Sequence, residues 1–328
     1  PYWSMIPALT SSKEEREQVA VIPRIFASTA WLIMGTFGLS IVKKLGNGNV
    51  VKGYSSFAVV IAVTFIISAI ITCLNVKERV ETPKNAEKVS FKQTLNIIRK
   101  NDQLLVFIGI VLGMNLIMQI SGSMAIYYFT YVVGKESLFS VYQAFAGIAE
   151  ISGLVLLPIL TKKIGREDVF KFGSILPIAG FLLLFVAGIV APQNALFIGM
   201  AGAILKLGSG FLLGSTTIML ADVVDYGEFK LGTRNESIVF SVQTLLVKGA
   251  SAVAGWLVGV GLSLVGYVAG EVQSATTILG MRVIMIWIPI VCAIVMYTIY
   301  KSKYKINGKF HDDMLVELEK RKKANDAI

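Results

Sequence analysis

One lysine, Lys248, lies near the middle of a long apolar segment. Placing a charged side chain there costs free energy, so such a residue usually has a function. The segment covers residues 236–265 and follows a short charged stretch. From Ser237 to Lys248 is eleven helical steps, about 17 Å at 1.5 Å per residue, and a bilayer's hydrocarbon core is about 30 Å thick. Lys248 is therefore predicted near the bilayer midplane, where an ionisable group usually marks a substrate or ion path.

Lys248 belongs to a series of polar residues at steps of four, three, four and three. The series is Ser237, Ser241, Thr244, Lys248 and Ser251, with Gln243 at its border. This spacing places the five side chains on one face of an α-helix. Serines alone would be explained by close helix packing, helped by the GxxxG spacing of Gly255 and Gly259. A lysine in the same face favours a water-filled cavity.

A second polar series occurs in the apolar segment 103–133, with a repeat of four residues. It consists of Asn115, Gln119, Ser123, Tyr127 and Tyr131. Amide and phenol groups both donate and accept hydrogen bonds, so this face suits sugar hydroxyls. Hydrogen bonding between helices explains the same pattern equally well, and the sequence leaves both interpretations open.

Buried charges need partners, and the embedded charges of this chain are mostly positive. Arg24, Lys206, Lys248 and Arg282 lie inside apolar segments, whereas Glu150 is the only embedded acid. Glu150 and Lys206 each lie near the middle of a segment, so we expect them to form an ion pair. Lys248 and Arg24 then need carboxylate partners, which are expected upstream of the first residue.

Trp3 and the inner-side charges are weaker candidates. Trp3 could present a flat apolar face to a pyranose ring, or it could anchor a helix at the membrane interface. Opposite charges at the inner ends of two lobes could close a cavity towards the cytoplasm, because exposed ion pairs are weak enough to break. The residues concerned are Arg16, Asp222, Asp225 and Arg234. Solvated surface charge explains them too.

The elements that position these residues are predicted to be membrane helices. Hydrophobic residues make up 55% of the chain and charged residues 16%, below the roughly 25% of soluble domains. Hydropathy predicts eight complete spans, near 17–43, 54–75, 103–133, 138–161, 169–191, 195–221, 236–265 and 277–300. Residues 1–10 read as the end of a further helix. With Pro1 first, we expect a chain whose N-terminal helices are missing.

Positive charge predicts the orientation. Of the 31 Lys and Arg residues, 23 fall on one side of the predicted spans and four on the other. The crowded side should be cytoplasmic, with the C-terminus inside a cell (inner) membrane. The expected organisation is a remnant of a six-helix lobe (1–75), a cytoplasmic linker with a short amphipathic helix (76–102), a complete six-helix lobe (103–300) and a basic tail on the lipid surface (301–328).

The sequence lacks the residues that several classes of function require. The one histidine is His311, in the tail, and Cys73 and Cys292 lie in separate apolar segments. We therefore expect no metal site, no cofactor and no enzymatic activity, because no nucleophile–base pair or ligand set is visible. A soluble basic surface with aromatic residues, as nucleic-acid binding needs, is also absent from the pattern.

Three stretches carry a family resemblance: ADVVDYGEFKLGTRNESIVFSVQTLLVKG, PYWSMIPALTSSKEEREQVAVIPRIFAS and NDQLLVFIGIVLGMN. They resemble the tenth-to-eleventh, fourth-to-fifth and seventh helix regions of the glycoside–pentoside–hexuronide:cation symporters, most closely the melibiose carriers. The resemblance extends over essentially the whole chain. It implies an all-α major facilitator fold of twelve helices, of which this chain holds the end of the fourth to the twelfth.

The resemblance also implies site residues and an activity. It places Trp3, Arg24, Gln243, Val247 and Lys248 at the sugar and Thr244 with Lys248 near the cation. Arg16, Asp222, Asp225 and Arg234 match the inner gate. The implied activity is symport of melibiose or another galactoside-like sugar with Na⁺, Li⁺ or H⁺. A carrier of glucuronide, pentoside or lysolipid with the same fold is the alternative, although the two polar faces argue against a lipid path. Glu150, Lys206 and Leu213 depart from the family pattern, which leaves the exact sugar and cation open.

Overall fold

The computed structural model describes residues 13–76, 91–233 and 235–326, and side chains of 13–25, 28, 91–93 and 322–326 lie outside that description. The described residues form helices and connecting turns, without strands. The chain divides into two compact units, Pro1–Lys88 and Val89–Ile328. This boundary falls inside the predicted linker, 76–102. The two units are described separately.

The first unit contains a helical hairpin. Helix α1 is Lys13–Gly46 and helix α2 is Val50–Asn75. The Asn49 side chain accepts a hydrogen bond from the backbone N–H of Lys52, which caps the start of α2. Gly53 packs so closely on Val42 that a side chain at position 53 would overlap its carbonyl oxygen. The most apolar stretch of α2 has no buried residue, as expected of a helix that faces lipid.

The second unit is a bundle with a short helix before it and another after it. Its elements are α3 (Phe91–Lys100), α4 (Asp102–Tyr127), α5 (Ser137–Ile164), α6 (Arg166–Val190), α7 (Ala195–Leu231), α8 (Glu236–Leu264), α9 (Ala275–Arg282), α10 (Ile288–Lys303) and α11 (Gly308–Asp326). Helix α4 continues into a π-helical turn, Tyr128–Val132, and a second π-helical turn, Val283–Trp287, joins α9 to α10. Short polar caps set these boundaries: Asn101 begins α4 and Asn194 begins α7.

Seven helices of the described part are long and apolar enough to cross a membrane. They correspond to seven of the eight predicted spans. The eighth prediction, 17–43, lies within α1, and the predicted helix end at 1–10 lies outside the described residues. Exposed aliphatic residues cover the outside of the bundle, and a cluster built around Phe107, Tyr128, Phe129 and Phe181 fills its core.

Helix α7 is the centre of one half of the bundle, because glycines let its neighbours approach closely. A side chain at Gly210 would overlap the backbone oxygen of Glu150 in α5, and one at Gly180 in α6 would meet Leu205. Helix α4 lies at the centre of the other half and packs against α8 and α10. Its contact with α10 places Gly113 against Met296. Helices α5 and α7 therefore cross at backbone contact distance, which fixes the residues at their crossing.

The basic tail is a docked helix, whereas the sequence predicted a segment on the lipid surface. Met314 and Leu318 of α11 are buried, and the Phe310 ring packs against Phe229 of α7. Arg321 donates a hydrogen bond to the backbone oxygen of Phe229 and lies over its ring. The apolar side chains at positions 310, 314 and 318 recur every four residues, so they form one face of α11 that contacts the bundle.

Candidate functional site

The polar face of α8 exists in the structure and is open. Its five members, Ser237, Ser241, Thr244, Lys248 and Ser251, are all exposed. The side of α8 that packs against the bundle is apolar instead, with Val242, Ala250, Ala254 and Val258 buried. The polar face is thus unused in the packing of its own unit.

Lys248 is the thirteenth of 29 residues in α8, so it lies near the middle of the helix. No partner for its ammonium group is found among the described residues, although it has three protons to donate. An ammonium group held in the middle of an apolar helix needs water, a ligand or a counter-ion. The polar face of α8 is consequently a place where a solute with acceptor oxygens could bind.

The neighbours of Lys248 have different exposures. Thr244, one turn earlier, donates its hydroxyl proton to the backbone oxygen of Phe240 over 3.0 Å, so its lone pairs point outwards from that bond. Gln243 and Val247 are half-buried beside the stripe. The predicted packing glycines, Gly255 and Gly259, have open space around them in the described structure. They do not contribute a helix contact there.

Four predicted site residues have side chains outside the described part of the structure. Trp3 and Arg234 lie outside the described residues, and Arg16 and Arg24 lie in α1 where the backbone alone is described. Their proposed roles at the sugar and at the inner gate therefore remain predictions.

The second polar series divides into buried and exposed members. The Asn115 side chain is buried and donates to the backbone oxygen of Val111 in its own helix. Gln119 is half-buried and Ser123 is exposed. The π-helical turn after Tyr127 widens the helix, so Tyr131 leaves the four-residue register.

Tyr131 instead contacts the loop that follows α8. Its hydroxyl accepts a hydrogen bond from the Tyr267 hydroxyl over 3.1 Å and lies 3.4 Å from the backbone nitrogen of Gly270. Burial raises the pKa of Tyr267 to about 12, and its hydrogen bond to Tyr131 adds to the rise. Within this series, hydrogen bonding between elements thus accounts for Tyr131, while Gln119 and Ser123 remain candidates for a polar path.

The ion pair predicted from the embedded charges is present in the structure. Lys206 Nζ of α7 lies 2.7 Å from Glu150 Oε2 of α5. The pair is next to the glycine crossing, where Gly153 and Gly210 bring the two backbones together. The side chains are 23% and 17% exposed, so the pair is neither sealed in the core nor fully solvated.

Arg282 represents an intermediate case. Its Nη2 donates a hydrogen bond to the backbone oxygen of Gly188 over 3.2 Å, which joins α9 to the C-terminal end of α6. Its Nε is buried without a hydrogen-bond partner. The guanidinium is therefore held by the protein but incompletely satisfied.

Asp222, predicted at the inner gate, has partners within its own unit. Its carboxylate lies 3.3 Å from Arg166 Nη1 and 3.3 Å from His311 Nε2, and it is buried. The Tyr304 hydroxyl is 3.5 Å away. Burial raises the pKa of Tyr304, and the negative charge of Asp222 raises it further. Asp222 thus joins the α5–α6 turn, α7 and the tail helix.

A second charged cluster, at the C-terminal end of α7, was not predicted. Asp102, in the first turn of α4, accepts a hydrogen bond from Tyr226 over 2.8 Å and forms ion pairs with Lys230 and Lys305. Tyr226 and Lys230 are four residues apart at the end of α7, which is the only signal that the sequence offers. The partners are 124 and more residues from Asp102, too far for any local pattern to reveal.

No group of three or more His, Cys, Asp or Glu side chains that could hold a metal ion occurs in the described part of the chain. Along the polar face of α8, the available chemistry is that of hydroxyls and the Lys248 ammonium, and the described helices add amides and several ion pairs. These groups can bind and orient a polar solute.

Comparison with known proteins identifies the family. Residues 1–308 match the family model described as MFS/sugar transport protein. The chain is 30% identical to the isoprimeverose transporter of Lactiplantibacillus pentosus over 332 residues, covering 100% of this chain and 68% of the relative. It is 30% identical to a putative sulfoquinovose importer of Salmonella typhimurium, with 100% and 68% covered.

The raffinose carrier protein of Pediococcus pentosaceus is 28% identical, and the match covers 97% of this chain and 50% of the relative. All three similarities run through the segments that carry Lys248 and the inner charges. The match of the family model over most of the chain decides the assignment. The chain belongs to the glycoside–pentoside–hexuronide:cation symporter family of the major facilitator superfamily, whose members are membrane transporters and not enzymes.

Proposed function

We propose that the protein is a secondary active carrier that moves a glycoside together with Na⁺, Li⁺ or H⁺ by alternating access. The observation that carries the proposal is Lys248, exposed in the middle of α8 among four hydroxyl-bearing residues of the same helix face. A side chain of this kind within a membrane helix is expected to face a water-filled path. The family membership supports sugars as the cargo class.

Lys248 is suited to link the two transported species. Its ammonium can donate to sugar hydroxyls, and the Thr244 hydroxyl one turn away offers an oxygen of the type that hard cations prefer. Coupling requires that each species changes the binding free energy of the other. If sugar binding draws the ammonium away from the cation position, the electrostatic repulsion of the cation falls, and each species then favours binding of the other. Gln243 and Val247 would border the sugar, and the sequence resemblance adds Trp3 and Arg24 as further sugar-contacting residues.

We propose a galactoside-like disaccharide such as melibiose as the cargo. The sequence resemblance supports this choice, and relatives named as raffinose carrier and lactose permease support glycosides more generally. The coupling cation is proposed from the family alone.

The proposed orientation has the C-terminus in the cytoplasm, with the protein in the cell (inner) membrane. The distribution of 23 Lys and Arg residues on one side of the spans supports it. On this side, Arg16, Asp222, Asp225 and Arg234 would form the inner gate. Because Asp222 is already held by Arg166 and His311, gate formation would require it to share or exchange these partners.

An uptake assay with the intact protein tests the proposal. Cells or proteoliposomes are given radiolabelled melibiose, raffinose or lactose in Na⁺, Li⁺ or choline medium, at two values of pH. We expect accumulation of at least one of these sugars that depends on Na⁺, Li⁺ or a proton gradient. Equal, non-concentrative entry in all media, or no uptake of any glycoside, would contradict symport.

A further inference from the structure

The Glu150–Lys206 pair has a place in the fold that a purely structural ion pair does not need. Glu150 is the fourteenth of 28 residues in α5, about 20 Å from either end of that helix. Charges at such depth face either the bundle interior or a water-filled cavity. The partial exposure of both side chains, 17% and 23%, excludes the sealed interior.

The pair does not face lipid. The strongly exposed aliphatic residues of α5 are Ile148, Val155 and Ile159, at 60%, 64% and 52% exposure. At 100° per residue they lie about 140–180° around the helix from Glu150. The carboxylate therefore projects from the side opposite the apolar surface.

The other neighbours of α7 occupy other faces of that helix. Lys206 shares its face with Leu213 and Thr217, at steps of seven and four, and both are half-buried. Helix α6 instead meets α7 at Leu205 and Leu212, through its glycines. Helix α4 meets it at Thr216, whose hydroxyl is 3.7 Å from the sulfur of Met114. The face of Lys206 is thus turned towards α5, where both side chains of the pair stay partly exposed.

We propose that the Glu150–Lys206 pair lines the solute path and restricts the cargo to uncharged glycosides, against hexuronides and sulfonated sugars. The inference rests on the proposed sugar transport and names its substrate class. A paired carboxylate and ammonium have no net charge, so neither can neutralise a charged solute without losing its partner. A neutral sugar can donate to the carboxylate and accept from the ammonium.

Removing the two charges one at a time should have opposite effects on the transport of an anionic solute. Glu150→Gln leaves the Lys206 ammonium without its carboxylate, and a free cation on the path attracts an anionic solute. Lys206→Gln leaves a lone carboxylate, which repels it. The exchange Glu150→Lys with Lys206→Glu restores a neutral pair and should restore the original preference.

The test compares two probes that differ at one carbon, an aryl galactoside and the corresponding aryl galacturonide, in uptake by the intact protein. We expect the wild type to prefer the galactoside. We expect Glu150→Gln to raise the galacturonide-to-galactoside ratio about tenfold, equivalent to 1.4 kcal/mol. Lys206→Gln should leave the ratio unchanged or lower it. Lys171→Gln, which removes one positive charge from the exposed inner surface, is the control and should keep the wild-type ratio.

A single variant with an unpaired charge could fail to accumulate in the membrane. The double variant Glu150→Gln with Lys206→Gln has no unpaired charge and keeps both side-chain lengths closely, so it is the second probe. We expect a rise of about threefold in its ratio, since the galacturonide no longer has to separate an ion pair and the two amides can donate hydrogen bonds to it directly.

The outcomes separate the inference from the function. Cation-coupled galactoside uptake with a ratio that no variant changes would mean that the pair is structural only, and it would overturn the inference while the transport function stands. Equal transport of the galacturonide and the galactoside by the wild-type protein would also overturn the inference. If the wild type carries neither probe and no other glycoside, the proposed function fails first.

Discussion

Lys206 and Lys248 occupy similar depths in neighbouring helices but differ in their surroundings. Lys206 has a carboxylate at 2.7 Å and a close helix crossing beside it. Lys248 has hydroxyls along its own helix, open space around it and no ion-pair partner in the described residues. A charge that is paired within its own lobe contributes to the stability of that lobe. A charge without such a partner is available to bind another molecule or the other lobe.

The first prediction measures this difference as stability. Lys206→Met leaves the Glu150 carboxylate unpaired, which costs 3–5 kcal/mol in a fully buried pair and about 2 kcal/mol at this partial exposure. Lys248→Met removes an ammonium without breaking a pair, so we expect little loss or a gain. Thermal unfolding of both variants in detergent checks the contrast. An equal loss of stability in both would mean that Lys248 has an internal partner as well.

The second prediction breaks the crossing that positions Lys206. Gly210→Ala inserts a Cβ onto the backbone oxygen of Glu150, so α5 and α7 must separate, at a cost of about 1–3 kcal/mol. Gly255→Ala, on open α8, is the matched control and should be neutral or slightly stabilising. The measurement is the unfolding temperature of the two variants. If Gly210→Ala were as stable as the control, the close approach of the helices would be refuted.

The third prediction concerns Arg282. Its charged group has more hydrogen-bond partners than Lys248 but a weaker partner than Lys206, which is paired with a carboxylate. Its one hydrogen bond, to Gly188, suggests a loss of about 1 kcal/mol in Arg282→Met. Part of this loss is offset because the unpaired Nε no longer has to be buried. Chemical denaturation should therefore rank the variants as Lys206→Met, then Arg282→Met, then Lys248→Met. A larger effect for Arg282 than for Lys206 would reverse the ranking and the reasoning.

The sequence was sufficient for the features that follow from local spacing and depth. Steps of three and four residues predicted the polar face of α8, and the count of embedded charges predicted the Glu150–Lys206 pair. The first inference needs the residue spacing within one helix only. The second needs only that two opposite charges lie at mid-depth in apolar segments. For the same reason, most apolar spans were predicted close to their observed bounds, whereas α7 continues ten residues beyond the predicted end at 221.

Features that depend on distant residues could not be predicted in this way. Asp222 is buried because the tail helix brings His311 to it, 89 positions further along the chain. Tyr131 leaves its predicted face because a π-helical turn adds a residue to the helix just before it. In both cases tertiary packing, rather than local preference, determines which groups meet.

The most direct test of the account is cation-driven sugar accumulation by the intact protein with Lys248→Val. We expect accumulation to fall to the background of cells without the carrier, while the amount of protein in the membrane stays close to normal. Lys135→Val, which removes an exposed lysine from the turn between α4 and α5, should transport normally. Normal accumulation by the Lys248→Val variant would contradict the claim that this ammonium contacts the transported solute.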